Sequence, residues 1–227
     1  MTASLIIVAA GSSTRWQSTN SFEKKEFVKL KNGKTVLESS VLSVYTPIED
    51  CIKSVIIVYK KDLLKDTKEA LNYNNLHKNI QNKLVFIEGG KTRAESTRNA
   101  IKYIEENIKC SHIITHDGAR PYPGEKMVIS LFNLSKKHKA VIPVIPLVDT
   151  IKEIKNGFVV STPERNMYSS VQTPQFFDAA TIINAYKMCY NENDYDDSQT
   201  VSRYNEPVYT AEGEKTNIKI TYRGDII

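Results

Sequence analysis

Short apolar, β-branched runs recur along the chain and alternate with longer segments of helical periodicity. The runs cover residues 5–10, 54–59, 83–88, 112–116 and 140–146. Each is apolar nearly throughout, which predicts strands buried on both faces of a parallel sheet. Between them, residues 36–45, 62–72, 93–107 and 125–137 have the length and amphipathic spacing of helices. Thr35 with Glu38, and Thr92 with Glu95, have the spacing of capping boxes at two of the helix starts. Strand alternating with helix predicts a three-layer α/β fold with right-handed crossovers.

The alternation breaks after Pro146. Residues 150–154 and 158–161 read as strands around Asn156-Gly157, a hairpin signal because both turn positions tolerate positive φ. The stretch at about 147–168 therefore leaves the main body as a β-arm, which either packs on a partner subunit or folds back on its own domain. A polar loop leads into Thr173-Pro174-Gln175. A helix at 179–190, an acidic stretch at 193–197, a short helix at 198–204 and strands at 207–210 and 218–221 complete the chain. There is no internal repeat and no low-complexity linker, so residues 1–227 read as one domain with that arm.

Composition narrows the class. Hydrophobic residues at 41% and charged residues at 25% are ordinary for a globular chain and argue against disorder. The net charge of +5 is mild and suits an anionic small molecule, a weak nucleic-acid surface or no charged partner at all. Ser135-Lys136-Lys137-His138-Lys139 and Tyr59-Lys60-Lys61 read as element ends rather than nucleic-acid arms. Cys51, Cys110 and Cys189 are odd in number and widely spaced, which disfavours a disulfide framework and fits a reducing cytoplasm. His77, His112, His116 and His138 form no metal-ligand pattern. The apolar run at 5–10 lacks a basic flank and is too short for a signal peptide, and no run approaches the ~20 apolar residues that span a bilayer. A soluble, cytoplasmic protein is expected.

Ligands of open α/β sheets bind at the carboxyl ends of the strands. Five segments there carry candidate chemistry. Ala9-Ala10-Gly11-Ser12-Ser13-Thr14-Arg15 follows the first strand; its small residues let backbone N–H groups approach a polyphosphate, and Arg15 adds a cation. The alternative is a plain strand-to-helix turn. Neither the Gly-x-Gly-x-x-Gly fingerprint nor a P-loop is present. Glu88-Gly89-Gly90-Lys91-Thr92-Arg93-Ala94-Glu95-Ser96 offers paired glycines against which a flat ring can lie, or else a flexible turn before a capped helix. In Thr115-His116-Asp117-Gly118-Ala119-Arg120-Pro121, an aspartate at a buried strand end needs a partner. A cation or substrate would serve, and Arg120 is its simplest protein partner. Gln172-Thr173-Pro174-Gln175-Phe176-Phe177 reads as a proline turn before core aromatics, with Arg165 upstream as a surface charge. Lys219, in Asn217-Ile218-Lys219-Ile220-Thr221, either snorkels to solvent or points into a site.

Together these segments resemble the cytidylyltransferases that join CTP to 2-C-methyl-D-erythritol 4-phosphate in the non-mevalonate isoprenoid pathway. The order and spacing of Ala-Ala-Gly, Gly-Gly-x-x-Arg, His-Asp-x-Ala-Arg-Pro, Asp-Thr, Thr-Pro-Gln-x-Phe and Asn-Ile-Lys-Ile-Thr carry the resemblance from Leu5 to about Asp225. It implies a Rossmann-like nucleotidyltransferase fold with a mainly parallel sheet. It implies that Arg15 and Lys25 stabilise the transition state at the α-phosphate, and that Arg165 and Lys219 position the sugar-alcohol phosphate. Ala9, Ala10, Gly11, Ser12, Gly89, Gly90 and Ser96 would contact CTP. Asp117 would lie at CTP and act as a ligand to Mg²⁺, with Arg120, Thr150 and Thr173 around the second substrate. It also implies a homodimer in which the arm carrying Thr150 reaches the neighbouring site.

Two departures stand out. Ser13 occupies a position where the family usually has glycine, and Lys24-Lys25-Glu26 replaces Pro-Lys-Gln, so Lys24 competes with Lys25 for the catalytic place. A ribitol-5-phosphate cytidylyltransferase, with the same scaffold and most of the motifs, is the nearest rival. A non-catalytic nucleotide-binding module is a more distant one, since it would be expected to lose Arg15, Lys25, Arg165 or Lys219. The attacking group would be a phosphate monoester, mostly dianionic at pH 7, so no general base is needed. This agrees with the absence of a Ser/His/Asp or Cys/His set.

Overall fold

The computed structural model of the chain describes residues 1–11, 13, 16 and 24–226. The five apolar runs are strands of one sheet: β1 (Ala3–Val8), β2 (Ile52–Tyr59), β3 (Leu84–Glu88), β4 (His112–Asp117) and β5 (Ala140–Pro146). β1 pairs in parallel with β2 and β4, and β2 with β3. Alternate residues of β1 enter different cores. Leu5 and Ile7 pack with Val55 and Ile57 of β2 against Val41 and Val44 of α1 (Val36–Tyr45) and Val128 and Leu131 of α5 (Glu125–Ser135). Ile6 packs with Ile56 and Val58 against Ala100 and Ile104 of α4 (Arg93–Asn107) and Ile182 and Ala185 of α6 (Ala179–Met188). Helices on both faces of the sheet make three layers, as the alternating pattern predicts.

The sheet grows beyond the expected strands through antiparallel partners. β9 (Gln175–Asp178) inserts between β4 and β5, antiparallel to both. β8 (Ser169–Val171) runs antiparallel along the far end of β5, and β10 (Tyr209–Glu212) pairs with β5 in parallel. The strand order is β10-β5-β9-β4-β1-β2-β3, with β8 beside β5. The sequence reads the stretch into Thr173-Pro174-Gln175 as loop, yet Phe176 and Phe177 are fully buried in opposite cores. Burying each ring stabilises by about 1.5–3 kcal/mol, enough to hold a four-residue strand in the middle of the sheet.

Local signals resolve as expected in two places. Thr35 and Thr92 accept hydrogen bonds from Glu38 and Glu95 N–H, at 3.0 and 3.1 Å. Glu95 then turns its carboxylate to Lys91 N–H at 2.6 Å instead of closing the box. Asn156 and Gly157, at φ 52° and 83°, close the hairpin of β6 (Glu153–Lys155) and β7 (Phe158–Ser161). That hairpin is a separate two-stranded sheet with every residue exposed. It does not fold onto its own domain.

Several boundaries are corrected: the strand expected at 150–154 is β6, which begins at Glu153, and the helix expected at 179–190 is α6, which ends at Met188. The helix expected at 62–72 is α2 (Leu64–Ala70), and the strand expected at 207–210 is β10, shifted toward the C-terminus. Residues 218–221 are not a strand. Their backbone makes a bond from Ile220 N–H to Ala119 O at 2.8 Å, holding the segment against the loop after β4. The remaining helices are α3 (Lys78–Gln81) and α7 (Asp197–Arg203). Among the described residues, no helix is long and apolar enough to cross a membrane.

Candidate active site

Ladder bonds continue past the strand ends and draw three loops together. Ala9 N–H donates to Val58 O at 2.9 Å, Gly89 N–H to Tyr59 O at 2.8 Å, and Gly118 N–H to Val8 O at 3.0 Å. The loops after β1, β3 and β4 thus lie side by side and wall a cleft of about 730 Å³. Its lining includes Ala10, Gly11, Lys25, Gly89, Gly90, Ser96, Asp117 and Lys219, all named by the sequence.

The wall needs small residues. A Cβ on Gly89 would sit 2.3 Å from Ala10 Cβ and 2.9 Å from Ser96 Oγ. Ser96 Oγ accepts from Gly90 N–H at 3.1 Å and donates to Thr92 O at 2.8 Å, so it shapes the double-glycine turn from the first turns of α4. Among the described residues beyond its chain neighbours, none has a heavy atom within 4 Å of a Cβ placed on Gly11. Ala9 lies beneath, 2% exposed.

Ser12 and Arg15 lie outside the described residues. Ser13, where glycine was expected, takes φ 54°. A left-handed conformation costs an L-residue roughly 1–2 kcal/mol. Its hydroxyl donates to Glu26 Oε2 at 3.3 Å.

The two candidate lysines diverge. Lys24 Nζ donates to Ala9 O at 2.5 Å and lies 3.9 Å from Glu26 Oε2. Burial lowers its pKa, against the charge of Glu26. Lys25, at the start of a 3-10 turn, lines the cleft and donates to Ile220 O at 2.8 Å.

Asp117 is the electrostatic centre of the cleft. Lys219 Nζ lies 2.8 Å from its Oδ2, Arg120 Nε 3.6 Å from the same oxygen, and Arg93 Nε 3.3 Å from Oδ1. Burial would push the carboxyl up, but the charges of Lys219, Arg93 and Arg120 hold it well below the usual carboxylate range. Asp117 is therefore ionised. Lys219 points into the site rather than out to solvent. Arg120 also donates to Asn217 O at 2.8 Å and Val171 O at 3.4 Å, tying the Lys219 segment to β8.

Thr173 is buried beside this group. Its hydroxyl oxygen accepts from Asp117 N–H at 3.1 Å and lies 3.0 Å from His116 Nδ1. Thr150 and Arg165 are exposed and do not line the cleft of their own chain; Arg165 Nη1 donates to Val148 O at 2.5 Å.

Three further groups carry no role in the sequence reading. Arg93 is seen there only as the last letter of Gly-Gly-x-x-Arg. Gln172 Nε2 donates to Glu214 O at 2.8 Å, and Asn217 Nδ2 to Thr173 O at 2.8 Å; these bonds fasten the segment that bears Lys219. Among the described residues, no group of three or more His, Cys, Asp or Glu side chains is placed to hold a metal ion.

Known proteins match this chain over its length. A relative from Clostridioides difficile (strain 630), named 2-C-methyl-D-erythritol 4-phosphate cytidylyltransferase, is 36% identical over 98% of this chain and 90% of its own. The crystal structure of 4-diphosphocytidyl-2C-methyl-D-erythritol synthase from Anaerococcus prevotii superposes with a TM-score of 0.79 at 30% identity, covering 99% of this chain and 92% of that one. A cytidylyltransferase structure from Francisella tularensis gives a TM-score of 0.78 at 26% identity, over 100% and 97% of the two chains. The sequence model of the same family matches residues 3–227, and this chain belongs to the 2-C-methyl-D-erythritol 4-phosphate cytidylyltransferase family.

Proposed function

We propose that the cleft transfers CMP from CTP to 2-C-methyl-D-erythritol 4-phosphate with release of pyrophosphate, and that its own cations carry the chemistry. The family membership makes the chain a cytidylyltransferase of isoprenoid precursor synthesis and favours methylerythritol phosphate over ribitol 5-phosphate. The observation that carries the assignment of residues is the meeting of a small-residue wall (Ala10, Gly89, Gly90) with a cationic floor (Lys25, Arg93, Lys219) around one ionised aspartate.

In this reading the cytidine lies against Ala10, Gly89, Gly90 and Ser96, and the triphosphate passes Gly11, with Ala9 supporting the wall from beneath. A phosphate oxygen of the sugar-alcohol phosphate attacks the α-phosphorus of CTP. A new P–O bond forms, and the bond to the β-phosphate oxygen breaks as pyrophosphate leaves. Lys25 faces the charge that builds on the α-phosphate, and the family resemblance assigns Arg15 the same task. Lys219 and Arg120 hold the incoming phosphate, and Thr173 fixes the backbone of Asp117.

A magnesium ion fits one feature of the site. Mg²⁺ is commonly held by one or two carboxylates plus substrate phosphates and water. Asp117 is ionised and lines the cleft, and it would be the protein ligand. When bound, the ion would neutralise charge on the triphosphate.

The exposed arm supports a homodimer. Ile154, Phe158, Val159 and Val160 are 57–78% exposed, and an isolated hairpin is marginal in water. A second copy would cover them and bring Thr150 and Arg165 to the neighbouring cleft. Three free cysteines fit a cytoplasmic location.

The purified chain is to be given CTP, Mg²⁺ and either methylerythritol phosphate or ribitol 5-phosphate, and pyrophosphate measured. Release with the first and little with the second is expected. Preference for ribitol 5-phosphate would reassign the substrate.

A further inference from the structure

Arg93 divides its guanidinium between two acids. Nη1 and Nη2 donate to the two oxygens of Asp197, each at 2.9 Å, while Nε donates to Asp117 Oδ1 at 3.3 Å. Asp197 opens α7, is fully buried, and accepts from the Tyr186 hydroxyl at 2.6 Å. Arg93 and Asp117 line the cleft and Asp197 does not.

We infer that Asp197 is a positioning residue for the transfer reaction, holding Arg93 so that only Nε meets Asp117. A two-point arginine–carboxylate pair fixes the plane of the guanidinium as well as its place. Without Asp197, the same fork is free to turn and take both oxygens of Asp117. It would then compete with Lys219 for Oδ2 and with any ion or phosphate the cleft receives. Asp197 also balances charge: three cations, Arg93, Arg120 and Lys219, face two carboxylates instead of one.

Stability alone is a weak reason for this pair. Burying an arginine and an aspartate costs desolvation that their attraction often only offsets, and apolar residues of like volume serve a core as well. Burial opposes the Arg93 charge, yet Asp197 and Asp117 raise its pKa well above the usual arginine value. A fixed cation at the cleft is what the arrangement gains.

The inference rests on the assignment of Asp117 to the transfer site. The test compares steady-state kinetics and melting temperature for Asp197→Asn, Tyr186→Phe, Arg93→Gln and the Arg93→Gln/Asp197→Asn double variant. Asp197→Asn is expected to lower kcat/KM for the sugar-alcohol phosphate about 10- to 100-fold when measured at saturating CTP. Tyr186→Phe, which removes a bond to Asp197 but leaves its pair with Arg93, is expected to melt lower with kinetics within about two-fold of the parent. The double variant should be no slower than Arg93→Gln, because Asp197 acts through Arg93. If Asp197→Asn does not fold, Asp197→Glu replaces it: the charge stays, the fork is displaced, and reduced kcat/KM is expected. Unchanged kinetics in the folded Asp197 variant, equal loss in Tyr186→Phe, or independent losses in the double variant would each overturn the inference. A parent protein that releases no pyrophosphate with either sugar-alcohol phosphate overturns the site assignment along with it.

Discussion

The Thr173 hydroxyl lies 3.0 Å from His116 Nδ1, and this contact fixes the state of a fully buried imidazole. His116 Nε2 is 2.9 Å from Arg120 O, which can only accept, so the ring proton sits on Nε2. Nδ1 is then bare and accepts from Thr173, whose oxygen in turn accepts from Asp117 N–H. The strand end carrying Asp117 is held by a chain of bonds that runs in one direction and requires neutral histidine.

Acid should therefore loosen this end of the sheet before it reaches the carboxylates. Burial, with the charges of Arg120 and Lys219, pushes the His116 pKa from 6.5 down to about 4, against the pull of Asp117. Above the unfolded value, both folded and unfolded chains hold His116 neutral and nothing is lost. As pH falls below it, only the unfolded chain takes up the proton, and stability drops until the folded value is reached. The loss is at most about 3 kcal/mol. Asp117 is held below its ordinary value, so its charge stabilises the fold, and that contribution is lost at lower pH, from the ordinary carboxylate value downward. Melting temperatures of the parent and of His116→Gln, taken between pH 7 and 4.5, check this. The variant should show the shallower fall; parallel curves would remove His116 from the explanation.

The two adjacent lysines should differ in their effect on the rate, though each holds a backbone carbonyl. Lys25 lines the cleft, whereas Lys24 is bonded to Ala9 O under the first loop. Lys25→Ala is expected to lower kcat by about 100- to 1000-fold, roughly 3–4 kcal/mol of barrier, beyond the loss of stability that follows when Ile220 O loses its donor. Lys24→Ala removes the donor that Lys24 gives to Ala9 O and should destabilise by about 1–3 kcal/mol. Single-turnover rates beside urea midpoints distinguish them, and a larger rate loss at Lys24 would exchange their places.

Much of this was legible because strands buried on both faces leave a dense signal. Ile6 and Ile7 enter different cores, so β1 has no polar face to blur the pattern. β8 gave no such signal: its three residues are exposed and two are serine. At 218–221 the alternation was real but the partner was missing: Ile220 is buried and Lys219 reaches Asp117, without a neighbouring strand. Arg93 and Asp197 meet across 104 positions, and no local spacing announces such a contact.

The wall of the cleft should reject a single methyl group. In Gly89→Ala, the new Cβ would overlap Ala10 Cβ at 2.3 Å and press on Ser96 Oγ and Tyr59 O at 2.9 and 3.3 Å. Overpacking of this kind typically costs about 1–3 kcal/mol. The Kd for CTP should rise at least about ten-fold, since the displaced loop is the surface assigned to cytidine. Adding Ala10→Gly removes the worst overlap and should restore part of the affinity. Calorimetric titration with CTP measures both, and unaltered binding in Gly89→Ala would show that the loop yields freely.

In the proposed dimer, Lys25 and Arg165 of one chain serve different sites, and mixing should reveal it. Arg165 is exposed on the segment that follows the hairpin, bonded to Val148 O, and does not line its own cleft. Lys25 does line it. Lys25→Ala and Arg165→Ala homodimers should each be nearly inactive. In a mixed two-fold dimer, one site would carry both substitutions and the other neither. Random re-pairing after denaturation and joint refolding should then return about one quarter of parental activity, because half the dimers are mixed and each has one intact site. If both residues serve one site within a chain, every site in the mixture stays damaged and no activity returns. Sedimentation of the mixture confirms that dimers have re-formed before the rate is read. Replacing Phe158 and Val160 with aspartate should abolish both the dimer and the recovery, since it places charge in the apolar face that a second copy would cover.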